Sequence, residues 1–177
     1  MKRTALLLAL MCAPLVCHAQ QAQPVPLGPL EKTQCLPTTN LVELIKALDD
    51  AVSGAGNKDR ACFRDLLLPN ARLVPVSKTQ QGIIAPHILS VDEWIQAVAQ
   101  RGDKVFYERQ VKFKTEQFGN IAHLWSTYEI RDTPDGKAEA RGINSIQAIN
   151  DGTRWRVLSI EWETESSAGP IPSQYLP

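Results

Sequence analysis

The chain has 177 residues, with 19 basic and 19 acidic side chains, 44% hydrophobic residues and four cysteines. Nothing in this balance suggests a polyanion-binding surface, which would need a clustered basic face, so no nucleic-acid partner is expected. The length fits one domain, with no internal repeats.

Lys2 and Arg3 open an apolar stretch from Thr4 to Val16 that is too short to span a bilayer, and Cys17-His18-Ala19 offers small residues for a signal peptidase. Residues 1–19 are therefore expected to be a signal peptide cleaved after Ala19, making the mature chain periplasmic or secreted. A lipid anchor on Cys17 or Cys12 is the alternative, although Pro14-Leu15-Val16 and Ala9-Leu10-Met11 fit a lipobox poorly. No later segment is apolar enough to span a membrane. Cleavage leaves 17 basic against 19 acidic residues. Only Cys35 and Cys62 survive it, and an even pair in an exported chain reads as a disulfide. The alternative is two unpaired thiols, with Cys62 buried on a helix.

Residues 20–37 are rich in Pro and Gln and form an expected linker. A first helix is expected from about Asn40 to Ser53, with Leu41, Leu44, Ile45, Leu48 and Val52 on one face. A second is expected from Lys58 to Leu68, capped by Asn57 and stopped by Pro69. Arg72 to Ser77 reads as a strand that Pro75 confines to an edge or breaks, and a short strand is expected over Gly82 to Ile84. Ser90 and Glu93 have capping-box spacing ahead of a third helix, closed by Gly102. Lys104 to Gln117 then reads as a long strand. It leads into three more, Ile121–Asp132, Ala138–Ile149 and Arg154–Thr164, joined by turns containing Asp-Gly. Residues 166–177 are expected to be a tail.

Strict alternation along these strands gives a provisional register, with Gln117 opposite Ile121, Asp132 opposite Ala138 and Ile149 opposite Arg154. One face then carries Phe113, Trp125, Ser145 and Leu158, beside a row of Arg109, Glu129, Arg141 and Trp162. It is the more apolar face, so it is expected against the helices. A glycine inside a strand marks Gly142 as a candidate bulge. Helices on a curved sheet would leave a cone-shaped cavity, whose candidate lining is Tyr107, Arg109, Trp125, Glu129, Arg141, Ser145 and Trp162. The plainer reading makes Arg109-Glu129-Arg141 a surface charge ladder and the tryptophans ordinary core. His87 and His123 have no metal-ligand neighbours at suitable spacing, so neither a metal nor another cofactor is expected.

Three stretches, LVELIKALDDAVSGAGNKDRACFRDLLLPNARLVPV, SVDEWIQAV and RGINSIQAINDGTRWRVLSIEWE, resemble the nuclear transport factor 2-like superfamily. This cystatin-like α+β cone includes SnoaL-like cyclases, ketosteroid isomerase and scytalone dehydratase. The resemblance spans Leu41 to Glu163 and implies a curved antiparallel sheet wrapped around three helices, a domain over residues 38–165. It also implies a homodimer through the open sheet face, here the Ser126/Asn144/Ser159 side, with Leu124, Ile146, Val157 and Trp155 as its apolar residues.

The family's catalytic groups have no counterpart at the matching places. The isomerase base falls on Leu73-Val74-Pro75-Val76, and the second acid falls near Asn144 or Ser145. The sequence reading is therefore a non-catalytic exported domain whose cone binds a small apolar or anionic molecule. Two alternatives stand beside it: an isomerase, dehydratase or cyclase using Glu129, Tyr107 or Glu161, and an interaction module of the cell envelope.

Overall fold

The computed structural model describes residues 34–177. The expected signal peptide and residues 20–33 of the expected linker lie outside the described residues. Helix α1 (Leu41–Val52) begins where Asn40 Oδ1 accepts from the Glu43 backbone N–H at 3.0 Å, and it buries Leu44, Ile45, Leu48 and Val52 as the periodicity predicts. A two-residue strand, β1 (Gly54–Ala55), follows. Helix α2 (Ala61–Leu66) is shorter than expected. Asn57 does not cap it: its amide donates to Asp103, and Asp59 instead accepts from the Ala61 N–H. Nor does Pro69 stop it, because strand β2 (Leu67–Lys78) has already begun and carries the proline within it.

Strand β3 (Ile84–Pro86) lies two residues later than expected. Helix α3 (Val91–Ala99) starts on the predicted capping box, in which Glu93 accepts from the Ser90 N–H at 2.7 Å. Strands β4 (Val105–Phe118), β5 (Ile121–Arg131), β6 (Ala140–Asn150) and β7 (Trp155–Thr164) form the meander. The sheet order is β1-β4-β5-β6-β7-β2-β3, antiparallel throughout except for the parallel β7–β2 pair. Helices α1, α2 and α3 pack on one face of this curved sheet, around a core that includes Leu44, Phe63, Leu124, Ile146 and Val157. Cys35 and Cys62 are bonded, with Cα atoms 5.3 Å apart, tying the segment before α1 to α2.

The face expected against the helices is the outer one. Leu124, Ser126, Tyr128, Asn144 and Ile146 are buried inside, while Trp125, Ile143 and Ser145 point away from the core and are half-buried. Two bulges misled the alternation. The pairing slips between Gln110 and Lys112, and again between Gln147 and Ala148 opposite β7. An extra residue on one strand reverses every side chain beyond it. Phe113 thus pairs with Ser126 rather than Trp125, and Trp162 pairs with Asn144 rather than Arg141.

The turn before β7 adds to the shift. Asp151 Oδ1 accepts from the N–H groups of Thr153 and Arg154, and Ile149 meets Arg156. The β5–β6 register holds as expected, straight through Gly142. That glycine marks a close approach instead of a bulge: a Cβ there would lie 2.5 Å from the Tyr128 hydroxyl and 2.3 Å from the Glu163 carbonyl.

The expected tail folds back on the outer face as a strap. It comprises α4 (Glu165–Ala168), a Gly169-Pro170-Ile171-Pro172 link and a 3-10 turn (Ser173–Tyr175), with Ile171 only 8% exposed.

Candidate functional site in the cone

The inner cavity is framed by Phe63, Trp94 and Phe106 on one side and Ile160 and Trp162 on the other, and its volume is about 190 Å³. Phe63 and Trp94 stack with ring centroids 4.3 Å apart. Its floor is polar. Glu108, Tyr128 and Asn144 reach it from three adjacent strands, because the β4–β5–β6 register sets alternate residues of each strand side by side. Gln110 Nε2 donates to Glu108 Oε1 at 3.0 Å, and Asn144 Nδ2 donates to the same oxygen at 3.3 Å. Gln110 Oε1 accepts from Ser126 Oγ at 2.5 Å and from Asn144 at 3.3 Å.

Helix α1 completes the cluster from the strand edge. Asp49 and Ser53, one helical turn apart, face β4 together. The Asp49 carboxylate accepts from the Gln110 N–H at 3.1 and 3.2 Å, and Ser53 Oγ accepts from the Glu108 N–H at 2.9 Å. These side chains satisfy backbone groups that an uncovered strand edge would leave open.

Burial dominates the electrostatics. It raises the Glu108 carboxyl to about 7, helped by the charge of Asp49 and opposed by the amides of Asn144 and Gln110. Asp49 rises to about 6, again through burial, with the Gln110 N–H and Arg109 opposing. Tyr128 is pushed up by burial and by the charge of Glu108. Arg101 stands at the cavity rim with its guanidinium 4.3 Å from the Phe106 ring centroid. It is a cation beside the opening, not one inside it.

The seven residues expected to line one cavity are dispersed. Tyr107 and Arg109 border a charged groove at the α1–β4 edge, with Lys46, Asp50 and Lys58, and Glu108 is common to this groove and the inner cavity. Trp125 and Ser145 lie under the strap, and Trp162 alone lines both the strap groove and the inner cavity. Arg109, Glu129 and Arg141 do sit side by side in register, but on the outer face. There Glu129 bonds Arg131 and Arg141 bonds Glu165. The apolar face assigned to a homodimer (Leu124, Ile146, Val157 and Trp155) is core. Glu108, Gln110 and Asp49 were not singled out from the sequence. Gln110 pairs with Tyr128, and Tyr128 with Gly142, on the face that alternation alone placed away from the helices. Among the described residues no group of three or more His, Cys, Asp or Glu side chains could hold a metal, and no helix is long and apolar enough to cross a membrane.

No family model and no curated protein matches the chain. Solved structures do resemble it. The hub of CaMKII from S. rosetta aligns with a TM-score of 0.50 at 15% identity, over 70% of this chain and 93% of that one. The Kfla4162 protein from Kribbella flavida aligns at 0.50 and 12%, over 70% and 86%. An NTF-2 like protein of unknown function from Silicibacter pomeroyi DSS-3 aligns at 0.49 and 17%, over 70% and 92%. Likeness at such low identity speaks to the fold. The fold shared with the two structures at 0.50 is an α+β one, a curved, unclosed sheet with helices packed on one face, as expected from the sequence.

Proposed function

We propose that this chain is an exported nuclear transport factor 2-like domain that holds a small, largely apolar molecule inside its cone without transforming it. The observation that carries the reading is the polar floor beneath apolar walls: Glu108, Asn144 and Tyr128 converge on a space bordered by Trp94, Phe106 and Trp162. Apolar walls with a few convergent polar groups are the usual plan of a ligand site. At about 190 Å³ the space suits a molecule smaller than most drug-sized ligands. A carboxyl titrating near neutrality donates a hydrogen bond when protonated and accepts one when ionised, so a neutral hydroxyl or amide suits the floor. A carboxylate belongs at the mouth, where Arg101 takes the role that Arg109 and Arg141 were expected to fill.

The test is native mass spectrometry of the chain purified from periplasm, followed by titration of the ligand found. Glu108→Gln should weaken it about tenfold, the scale of one hydrogen bond to a charged or buried group. Purification free of any small molecule, with no fragment perturbing the Trp94 and Trp162 resonances, would reject the reading. Export itself is checked by intact mass, which should begin at Gln20 and drop no thiol to alkylation before reduction.

One observation favours a second reading, a proton-transfer enzyme. Glu108 is raised to about 7, where it can take and return a proton at neutral pH, and Tyr128 and Asn144 stand beside it. It would replace Glu129, Tyr107 and Glu161 as the acid–base group. Isotope exchange at a carbon acid bound in the cone, abolished in Glu108→Gln, would select this reading over simple binding.

A further inference from the structure

The C-terminal strap does not lie flat on the sheet. Between it and the outer face is a groove of about 410 Å³, walled by Trp125, Ile143, Val76, Ile171 and Tyr175. This is about twice the inner cavity and falls within the usual range for small-molecule sites. The strap is anchored at both ends. Arg141 bonds both oxygens of Glu165 at 3.0 and 3.2 Å, and Ser167 Oγ donates to Glu163 at 2.8 Å. At the far end, Thr127 Oγ1 donates to the Tyr175 carbonyl at 2.6 Å, and Lys112 Nζ donates to the Leu176 carbonyl. The middle, Gly169 to Pro172, spans the groove between these anchors with Ile171 turned in.

Two features of this groove are unexplained by packing. The indole N–H of Trp125 is shielded from solvent, yet it has no acceptor among the described residues. A buried donor left unmatched is costly enough to need a reason. The wall also carries carboxylates: Glu161 and Glu163 project from alternate positions of β7, and Glu161 has no side-chain hydrogen bond or ion pair among the described residues. The indole N–H is closed off from the groove, so it is the apolar walls and the unneutralised acidic margin that are complementary to a specific chemistry.

We infer that the strap groove is a second ligand site, for an apolar molecule that carries a cationic amine. The apolar body lies between Ile143 and Ile171, beside the Trp125 ring, and the cation rests against Glu161. An anionic amphiphile is rejected by the two carboxylates. The site stands apart from the cone floor, since Trp162 is the one residue that borders both spaces.

The test uses octanoylcholine, which joins an apolar chain to a quaternary ammonium, against octanoate and octanol. The readout is the indole N–H resonance of Trp125, assigned by its loss in Trp125→Phe. Octanoylcholine should shift that resonance saturably. It should bind about tenfold more tightly than octanoate, the factor given by one interaction of roughly 1.4 kcal/mol. Glu161→Gln, a half-buried position outside the core, should erase most of that preference and leave octanol binding unchanged. Glu108→Gln should leave octanoylcholine binding intact, which separates this site from the cone. The inference is overturned by octanoate binding as tightly as octanoylcholine, by a preference that survives Glu161→Gln, or by shifts confined to Trp94 while Trp125 stays still.

Discussion

Ser126 and Asn144 are 0% and 6% exposed on the inner face, whereas Trp125 and Ser145, one residue away on the same strands, lie half-buried outside beneath the strap. The inner face thus buries hydroxyls, amides and a carboxyl, while the outer face shelters an indole and branched aliphatics. Alternation carried across the two bulges assigns these faces the other way round. What distinguishes them is the completeness of hydrogen bonding. Ser126, Gln110, Asn144 and Glu108 are linked in one continuous network, and the polar groups are admitted to the core because they satisfy one another. Outside, Trp125 keeps an unmatched N–H.

This contrast can be broken hardest at Gly142. A valine there would drive Cβ into the Tyr128 hydroxyl and the Glu163 carbonyl, so Gly142→Val should lose about 3 kcal/mol or more in urea unfolding. Ser145→Val, the same kind of enlargement three positions along on the outer face, should stay within about 0.5 kcal/mol.

The next effect is on pH dependence. Glu108 has a folded value of about 7 against an ordinary 4.5, so between those limits only the folded chain holds the proton. Stability should therefore be complete below about pH 4.5, fall as pH rises through 7, and level off above it; the drop is on the order of 2–3 kcal/mol. Asp49, raised to about 6, contributes in the same direction over a lower window. Thermal melts from pH 4 to 8 should show this slope, and Glu108→Gln should flatten its upper part. An unchanged slope in the variant would place the titration elsewhere.

Ile171→Ser should cost about 2 kcal/mol, the loss expected for a buried aliphatic side chain, and should make Trp125 fluorescence quenchable by acrylamide. Unaltered quenching would mean that the strap does not shelter the indole in solution.

The smallest effect belongs to the outer charges. Arg141→Ala removes a partly exposed ion pair with Glu165 and should change stability by less than about 1 kcal/mol. It should also leave ligands of the cone unaffected, which reverses what an inward-facing Arg141 would do.

Much of the architecture was legible in the residues. The Asn40 and Ser90 caps, the face of α1, the four long strands and the Asp132–Ala138 hairpin register all follow from local chemistry acting over a few residues. The site was not legible, for an equally physical reason. Two bulges, neither marked by glycine or proline, exchange inside for outside, and the most conspicuous strand glycine proved to be in unbroken register. Once Phe113 and Trp162 were assigned to the wrong rows, Glu108 could not be placed beside Asn144. The partnership of Asp49 with the Gln110 N–H joins residues far apart in the chain, and no local pattern announces it.

The parallel pairing of β2 with β7 has a kinetic consequence. Leu73 lies beside Ile160 and Val76 beside Glu163, so strands from opposite ends of the domain must meet before the sheet is whole. Such non-local contacts reward the chain late and make folding slow relative to a helical bundle of the same size. A chain that emerges N-terminus first therefore presents α1, α2 and β2 well before their last partner exists. The Cys35–Cys62 bond lies wholly within that early portion and can close before β7 arrives. It would hold the helices in place through the interval when they have least to pack against.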